Sequence, residues 1–330
     1  MRYLVTGTGG FVMSVLIERL LHHDPDATVT GVDLHSSDAK LEGYFHAVRN
    51  RLRLTSLDVR DAEGMCELVR STAPDVIVHG ATVTHDPKSE RENPGKFLDV
   101  NVLGTANLLD AARDAPPLRR CILISSGAVY GDNPQEILTE RSTSSPDEMY
   151  GISKWAAERA ALRYSDLYDL PLAIVRLTKM FGPMERPTLG RQAMSLPYHL
   201  AAAFIEGKKL AVTERTLRAS GDWLNATEAA EALRIMAKQH RHGNRIYNLA
   251  SGVRTTVPEL AALFGEDLLK VTEPTDAEYD MEPAYNHGKN GVLARECIAE
   301  ELGWSCGPLT TQVSSYIEWV RNNRELFTGS

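Results

Sequence analysis

In the first 177 residues of this chain, six short apolar, β-branched runs alternate with amphipathic stretches. The runs are Tyr3–Thr6, Thr28–Asp33, Leu52–Thr55, Val76–His79, Cys121–Ser125 and Ala173–Leu177. Between them, Val12–His22, Ala62–Ser71, Val100–Arg113 and Tyr150–Tyr164 carry apolar residues at helical spacing. Few folds accept that order. Strands apolar along their whole length are buried on both faces, so they run parallel between two helical layers. Each crossover is right-handed. The chain therefore reads as an α/β protein with a doubly wound parallel sheet.

The first strand-to-helix turn is Thr6-Gly7-Thr8-Gly9-Gly10, followed by Phe11 and Val12. Glycines between a strand and a helix turn backbone amides and the helix N-terminus toward an anion such as a pyrophosphate. Asp33 ends the second strand. There a carboxylate accepts hydrogen bonds from both hydroxyls of an adenosine ribose and repels an added phosphate, which favours NAD over NADP. Asp58 and Val59 end the third strand and flank the adenine, unless Asp58 caps the next helix. One residue conflicts with this pattern. A Gly-x-x-Gly-x-x-Gly spacing from Gly7 and Gly10 predicts a third glycine at position 13, which is Met13. A small side chain there lets the helix approach the sheet. Methionine is flexible; it is either accommodated or it holds the helix off and weakens dinucleotide binding.

Tyr150 and Lys154 are four residues apart, so they share a helix face one turn apart. A free phenol, with a pKa of about 10, is a poor base near neutral pH. A neighbouring ammonium favours the phenolate and lowers that value. Such a pair removes a proton from an alcohol whose carbon gives hydride to a nicotinamide. Ser126, at the C-terminal end of a parallel strand, faces the ligand crevice or bonds its own backbone.

Beyond Leu177 the alternation stops. Phe181-Gly182-Pro183 reads as a turn, followed by helical segments at Leu200–Ile205, Thr227–Gln239, Val257–Phe264 and Leu309–Asn322. Ile246–Asn248 reads as a late strand returning to the sheet. The expected organisation is a Rossmann-type nucleotide-binding domain over 1–177 and a smaller, mostly helical substrate lobe over 178–330, with some segments returning to the first.

Together, Thr6 to Val12, Asp33, Asp58-Val59-Arg60-Asp61, His79-Gly80-Ala81, Asn101-Val102-Leu103-Gly104-Thr105, Ser125 to Gly131 and Tyr150 to Lys154 carry a resemblance. The chain resembles an extended short-chain dehydrogenase/reductase of the NAD-dependent epimerase/dehydratase family. The resemblance implies that Tyr150 is the acid/base, that Lys154 holds the nicotinamide ribose and that Ser126 orients the reacting hydroxyl. It places Ala81, Thr82, Asn101 and Ser125 around the cofactor, and Thr84 and His85 toward substrate. Asn101 as a purely structural residue and His85 as an exposed loop histidine are the alternatives. It also implies a homodimer through the helices beginning near Val100 and Tyr150.

The departures concern the substrate. Sugar dehydratases of the family carry Asp-Glu after the catalytic hydroxyl, where this chain has Gly127 and Ala128, so dehydration is not expected. An asparagine that helps hold a nucleotide sugar is here Lys179, and an arginine that grips a diphosphate is Gly221. Lys179, Arg186, Arg191, Arg215 and Arg218 leave the substrate lobe rich in cations, and an arginine fork suits carboxylate or phosphate. Arg218 is the expected substitute for the missing arginine. An anionic sugar or sugar acid oxidised by NAD is the first reading, and an epimerase that retains NAD is the second. A dinucleotide-binding regulator with little turnover is the third, resting on Met13 alone. The net charge of -8 argues against a nucleic-acid partner. No stretch reaches the roughly 18 apolar residues of a membrane helix. A strand at the first residues in place of a signal peptide, and four cysteines without metal-type spacing, point to a cytoplasmic protein with free thiols and no metal.

Overall fold

Arg2–Thr6 (β1) lies inside a seven-stranded sheet. The others are Thr28–Asp33 (β2), Leu52–Ser56 (β3), Val76–His79 (β4), Arg120–Ser126 (β5), Leu172–Leu177 (β6) and Ile246–Leu249 (β7). Their order is β7-β6-β5-β4-β1-β2-β3, and every adjacent pair is parallel. The direction of winding reverses between β1 and β4, which opens a crevice at the C-terminal strand ends. This computed structural model describes residues 1–35, 37–115, 118–188, 191–239, 245–280 and 291–327.

Successive residues of each strand go to opposite faces. Tyr3, Val5, Val76, Val78, Ile122 and Ile124 join one core with helices Phe11–His23 (α1) and Ala226–Lys238. Leu4, Ile77, Cys121, Leu123 and Ile174 join the other, with Ala62–Thr72 (α2), Gly104–Arg113 (α3) and Met149–Tyr168 (α4). Each fully buried aliphatic side chain contributes about 1.5–3 kcal/mol, so the two cores fix the register of the sheet. The expected late strand is β7, beside β6.

A third core lies outside the sheet. Phe181, Leu196, Leu200, Trp223, Leu260, Phe264, Val313 and Tyr316 bury one another between helices Leu196–Glu206, Val257–Phe264 and Leu309–Asn322. The strand Lys179–Phe181 leads into it and pairs in parallel with Trp223–Asn225. The chain thus leaves the sheet after β6, returns with Ala226–Lys238 and β7, and leaves again.

Helices Ala39–Tyr44, Pro87–Glu92 and Glu296–Leu302 escaped the sequence reading. None is long enough to show two turns of periodicity. The helix expected from Val100 begins at Gly95 and passes through a π-helical turn, Asp99–Leu103, before α3. Among the described residues no helix is long and apolar enough to cross a membrane. All four cysteines are free thiols.

Candidate active site

A single cleft of about 1180 Å³ runs over the C-terminal ends of the strands. Its cofactor half is mostly backbone. Gly7 has φ +80°, and a Cβ there would lie 2.7 Å from the backbone of Gly80 and Ala81, so only glycine fits. Gly10 precedes α1 with no side-chain cap and no acid in the first turn, leaving the helix N-terminus available to an anion. Asp33 Oδ2 accepts the Gly9 amide at 2.8 Å, which pins the carboxylate at the glycine turn. Phe11, Val12, Asp58, Val59, Ala81 and Thr82 also line this half. These residues fit a dinucleotide, with its pyrophosphate at α1 and a ribose at Asp33.

Met13 is accommodated. Its side chain is buried, and its Cγ and Sδ occupy the space that a Cβ on Gly80 would need, 2.5 Å away. The glycine missing from the helix is supplied by the facing strand end. This removes the physical basis for expecting the helix to be held off the sheet. Asp58 does not cap α2; Asp61 does, accepting the Gly64 amide at 3.0 Å. Asp58 pairs instead with Arg60 at 2.6 Å, whose guanidinium holds the carboxyl below its usual range.

The residues expected to be catalytic lie where β5 and α4 meet. Ser126 ends β5, its Oγ accepts the Ala128 amide at 3.1 Å, and it lines the cleft together with Tyr150 and Lys154. The backbone bond expected as the alternative is present, and the side chain also faces the cleft, where the resemblance places the reacting hydroxyl. Burial pushes the Tyr150 phenol up; Ser126 opposes this, Glu148 adds to it and Arg191 opposes it. The phenol therefore lies above its usual value, where the Lys154 spacing predicted a lowered one, because desolvation outweighs what favours the phenolate. Lys154 is buried one turn on and falls to about 8 because of burial, against the pull of Glu158.

Glu158 continues that helix face and was missed in the sequence, although the spacing 150, 154, 158 shows it. Its carboxylate takes Arg176 in two bonds, at 3.0 and 2.6 Å, and Ser125 Oγ at 2.5 Å. Ser125 lines the cleft but gives its hydroxyl to this buried pair. Asn101 is saturated by structural bonds. Its Oδ1 accepts Val83 N and Thr82 Oγ1 at 2.8 and 2.9 Å, while Nδ2 donates to Val83 O and Ser153 Oγ at 3.1 and 2.9 Å. The π-helical turn carries it, and it does not line the cleft, so it is not brought to the cofactor as the resemblance implied. His79 bridges Thr6 and Thr105 and is held neutral, near 3, by burial and then by Lys154.

The half expected to take substrate is built from side chains on loops, at the start of α4 and on the strand pair Lys179–Phe181 and Trp223–Asn225. Thr84, His85, Glu148, Lys179, Asp222, Trp223 and Tyr279 line it. His85 is buried, contrary to the exposed-loop alternative, and its Nδ1 lies 2.6 Å from Glu148 Oε2. Burial brings Lys179 down to about 8, opposed by the charges of Asp222 and Glu148. A Cβ on Gly221 would lie 2.9 Å from Lys179 Cδ, so the glycine clears the space that the lysine stem fills. Asp222 itself is held by Ser251 and by the amides of Gly252 and Leu293.

The arginines are placed differently from expectation. Arg186 crosses the cleft to Asp38 at 2.7 Å, toward the adenosine side. Arg191 pairs with buried Glu185 at 2.7 Å and stacks over Phe11 at 4.8 Å, beside the glycine turn. Arg218 is exposed, pairs with Glu214 at 2.7 Å and lies outside the cleft, so it does not replace the missing arginine. Arg215 is engaged by Asp280.

Comparison with known proteins matches this architecture. The sequence profile of the NAD dependent epimerase/dehydratase family matches residues 3–250. Human dTDP-D-glucose 4,6-dehydratase is 27% identical over 98% of this chain and 90% of its own length. The low-salt glycan biosynthesis protein Agl12 of Haloferax volcanii is 31% identical over 90% of this chain and 93% of its own. The fold superposes on UDP-glucose 4-epimerase from Thermotoga maritima, solved with UDP-glucose, with a TM-score of 0.81, 20% identity and coverage of 98% and 100% of the two chains. The chain belongs to the NAD dependent epimerase/dehydratase family and is an NAD-dependent, sugar-modifying enzyme of the extended short-chain dehydrogenase/reductase type.

Proposed function

We propose that this enzyme oxidises a secondary hydroxyl of an anionic sugar or sugar acid, with Tyr150 as general base. The observation that carries the reading is that Ser126, Tyr150 and Lys154 line the same cleft as the dinucleotide turn. NAD, when bound, accepts the hydride. Tyr150 takes the hydroxyl proton, Ser126 orients that hydroxyl, and Lys154 supplies positive charge one turn along α4. Lys179 supports an anionic substrate, because its cationic head lies in the substrate half and its stem fills the space beside Gly221. Gly127 and Ala128, immediately after Ser126, offer no acid or base for elimination of water.

A second reading, an epimerase that retains NAD, is favoured by the Arg186–Asp38 bridge across the cleft. A homodimer is part of the proposal. Leu98, Leu103 and Trp155 are exposed on the two helical segments expected to form the interface. The free cysteines are compatible with a reducing cytoplasm. The test is NADH absorbance with NAD and a panel of sugars, sugar acids and nucleotide sugars. Steady NADH formation supports the dehydrogenase; interconversion of a nucleotide sugar without net NADH replaces it with the epimerase.

A further inference from the structure

Arg191, expected at the substrate, lies instead against the glycine turn. Its guanidinium carbon is 4.8 Å from the ring centroid of Phe11, the first residue of α1, and Gly10, Phe11 and Arg191 line the same cleft. The side chain is held by its own segment. Nη2 donates to Glu185 Oε1 at 2.7 Å, and Nε donates to Ala193 O at 3.2 Å. Glu185 is fully buried and also accepts the Ser195 amide and hydroxyl, at 2.8 and 2.7 Å. The backbone is fixed as well, because Thr188 and Arg191 exchange amide–carbonyl bonds at 2.8 and 3.2 Å. A guanidinium has five N–H donors, and among the described residues Nη1 makes no hydrogen bond. The side chain stays 27% exposed, so these donors are open to a ligand.

The ion pair alone does not explain this placement. Glu185 needs a cation because an unpaired buried carboxylate is costly, but nothing in that need turns the cation toward α1. The coenzyme does explain it. The pyrophosphate of a dinucleotide carries two negative charges, and a helix N-terminus offers roughly half a positive charge. Asp33, bonded to the Gly9 amide, adds negative charge at the same turn. A guanidinium fork suits paired phosphate oxygens and supplies the missing charge.

We propose that Arg191 is a coenzyme-binding residue, which reaches over the start of α1 from the segment beyond the strand Lys179–Phe181 and hydrogen-bonds the pyrophosphate of NAD. The diphosphate is then held by backbone amides of the sheet domain and by one side chain from outside it. Arg191 is withdrawn from the substrate, so recognition of a substrate anion falls to Lys179. The inference concerns the coenzyme alone and holds whether the substrate is oxidised or epimerised.

The test is calorimetry of the full-length protein with NAD, ADP-ribose and adenosine, at low and high salt. R191Q is expected to weaken NAD and ADP-ribose by roughly tenfold and to leave adenosine within about twofold of the wild type. It also flattens the loss of ADP-ribose affinity with salt, because one charge contact is gone. If R191Q does not fold because Glu185 is left buried without its cation, E185Q/R191Q removes both charges and carries the same measurement. NAD and ADP-ribose bound as tightly as by the wild type overturn the inference. An equal loss for all three ligands overturns it too, and makes Arg191 a prop of the fold. No substrate is present, so neither result bears on the proposed oxidation.

Discussion

The two halves of the cleft are built from different materials. The cofactor half is backbone: a left-handed Gly7, an uncapped helix N-terminus and strand ends set by two cores. The substrate half is side chains brought from residues 84–85, 148, 179, 222–223 and 279 by loops, a helix start and a short strand pair outside the main sheet. Backbone geometry follows from the sheet and varies little without breaking it. Side chains on loops vary without cost to the sheet, so one fold keeps its coenzyme while its substrate changes.

Substitutions can separate the halves. Tyr150→Phe removes the proposed base and is expected to lower hydride transfer by roughly 10²–10⁴-fold, with NAD affinity by calorimetry within about threefold. Parallel loss of NAD binding would show that the halves are not separable. Gly7→Ala forces a Cβ into the Gly80–Ala81 backbone, at a cost of about 1–3 kcal/mol, read as a lower Tm and weaker NAD binding. Gly80→Ala drives a Cβ into Met13 and costs a similar 1–3 kcal/mol or so by overpacking. Adding Met13→Ala recovers part of it, so the double variant melts above the sum of the singles. A strictly additive pair would refute the exchange of glycine between strand and helix.

In the substrate half, Lys179→Met raises KM for an anionic substrate by roughly tenfold, about 1.4 kcal/mol, and leaves NAD affinity unchanged. Burial has brought Lys179 to about 8, so its ammonium is present below that pH and lost above it. Binding of the anionic substrate therefore weakens as pH rises through about 8, and this limb is absent in Lys179→Met. Arg218→Ala is the smallest case. An exposed i,i+4 pair is worth about 0–1 kcal/mol, and kinetics within twofold of the wild type are expected.

Legibility followed the same division. Thr28–Asp33 and Val76–His79 were readable to the residue because burial on both faces leaves only apolar runs. Gly7, Asp33 and the Tyr150–Lys154 spacing were readable because turn and helix geometry act over a few residues. Gly80 was not, since its room for Met13 depends on contact between β4 and α1. Glu148 was not, because its partner His85 is 63 positions away and only packing of the loop onto α4 brings them together. Arg186 and Arg191 were expected at the substrate, but composition cannot reveal that Asp38 and Glu185 hold them.

The bar formed by Arg186 and Asp38 sets a clock as well as a boundary. It ties the segment after β2 to the loop beyond Phe181-Gly182-Pro183. If NAD binds at the glycine turn as proposed, an ion pair holding these two segments together would slow its exchange, and slower exchange would favour return of the hydride over release of an oxidised product.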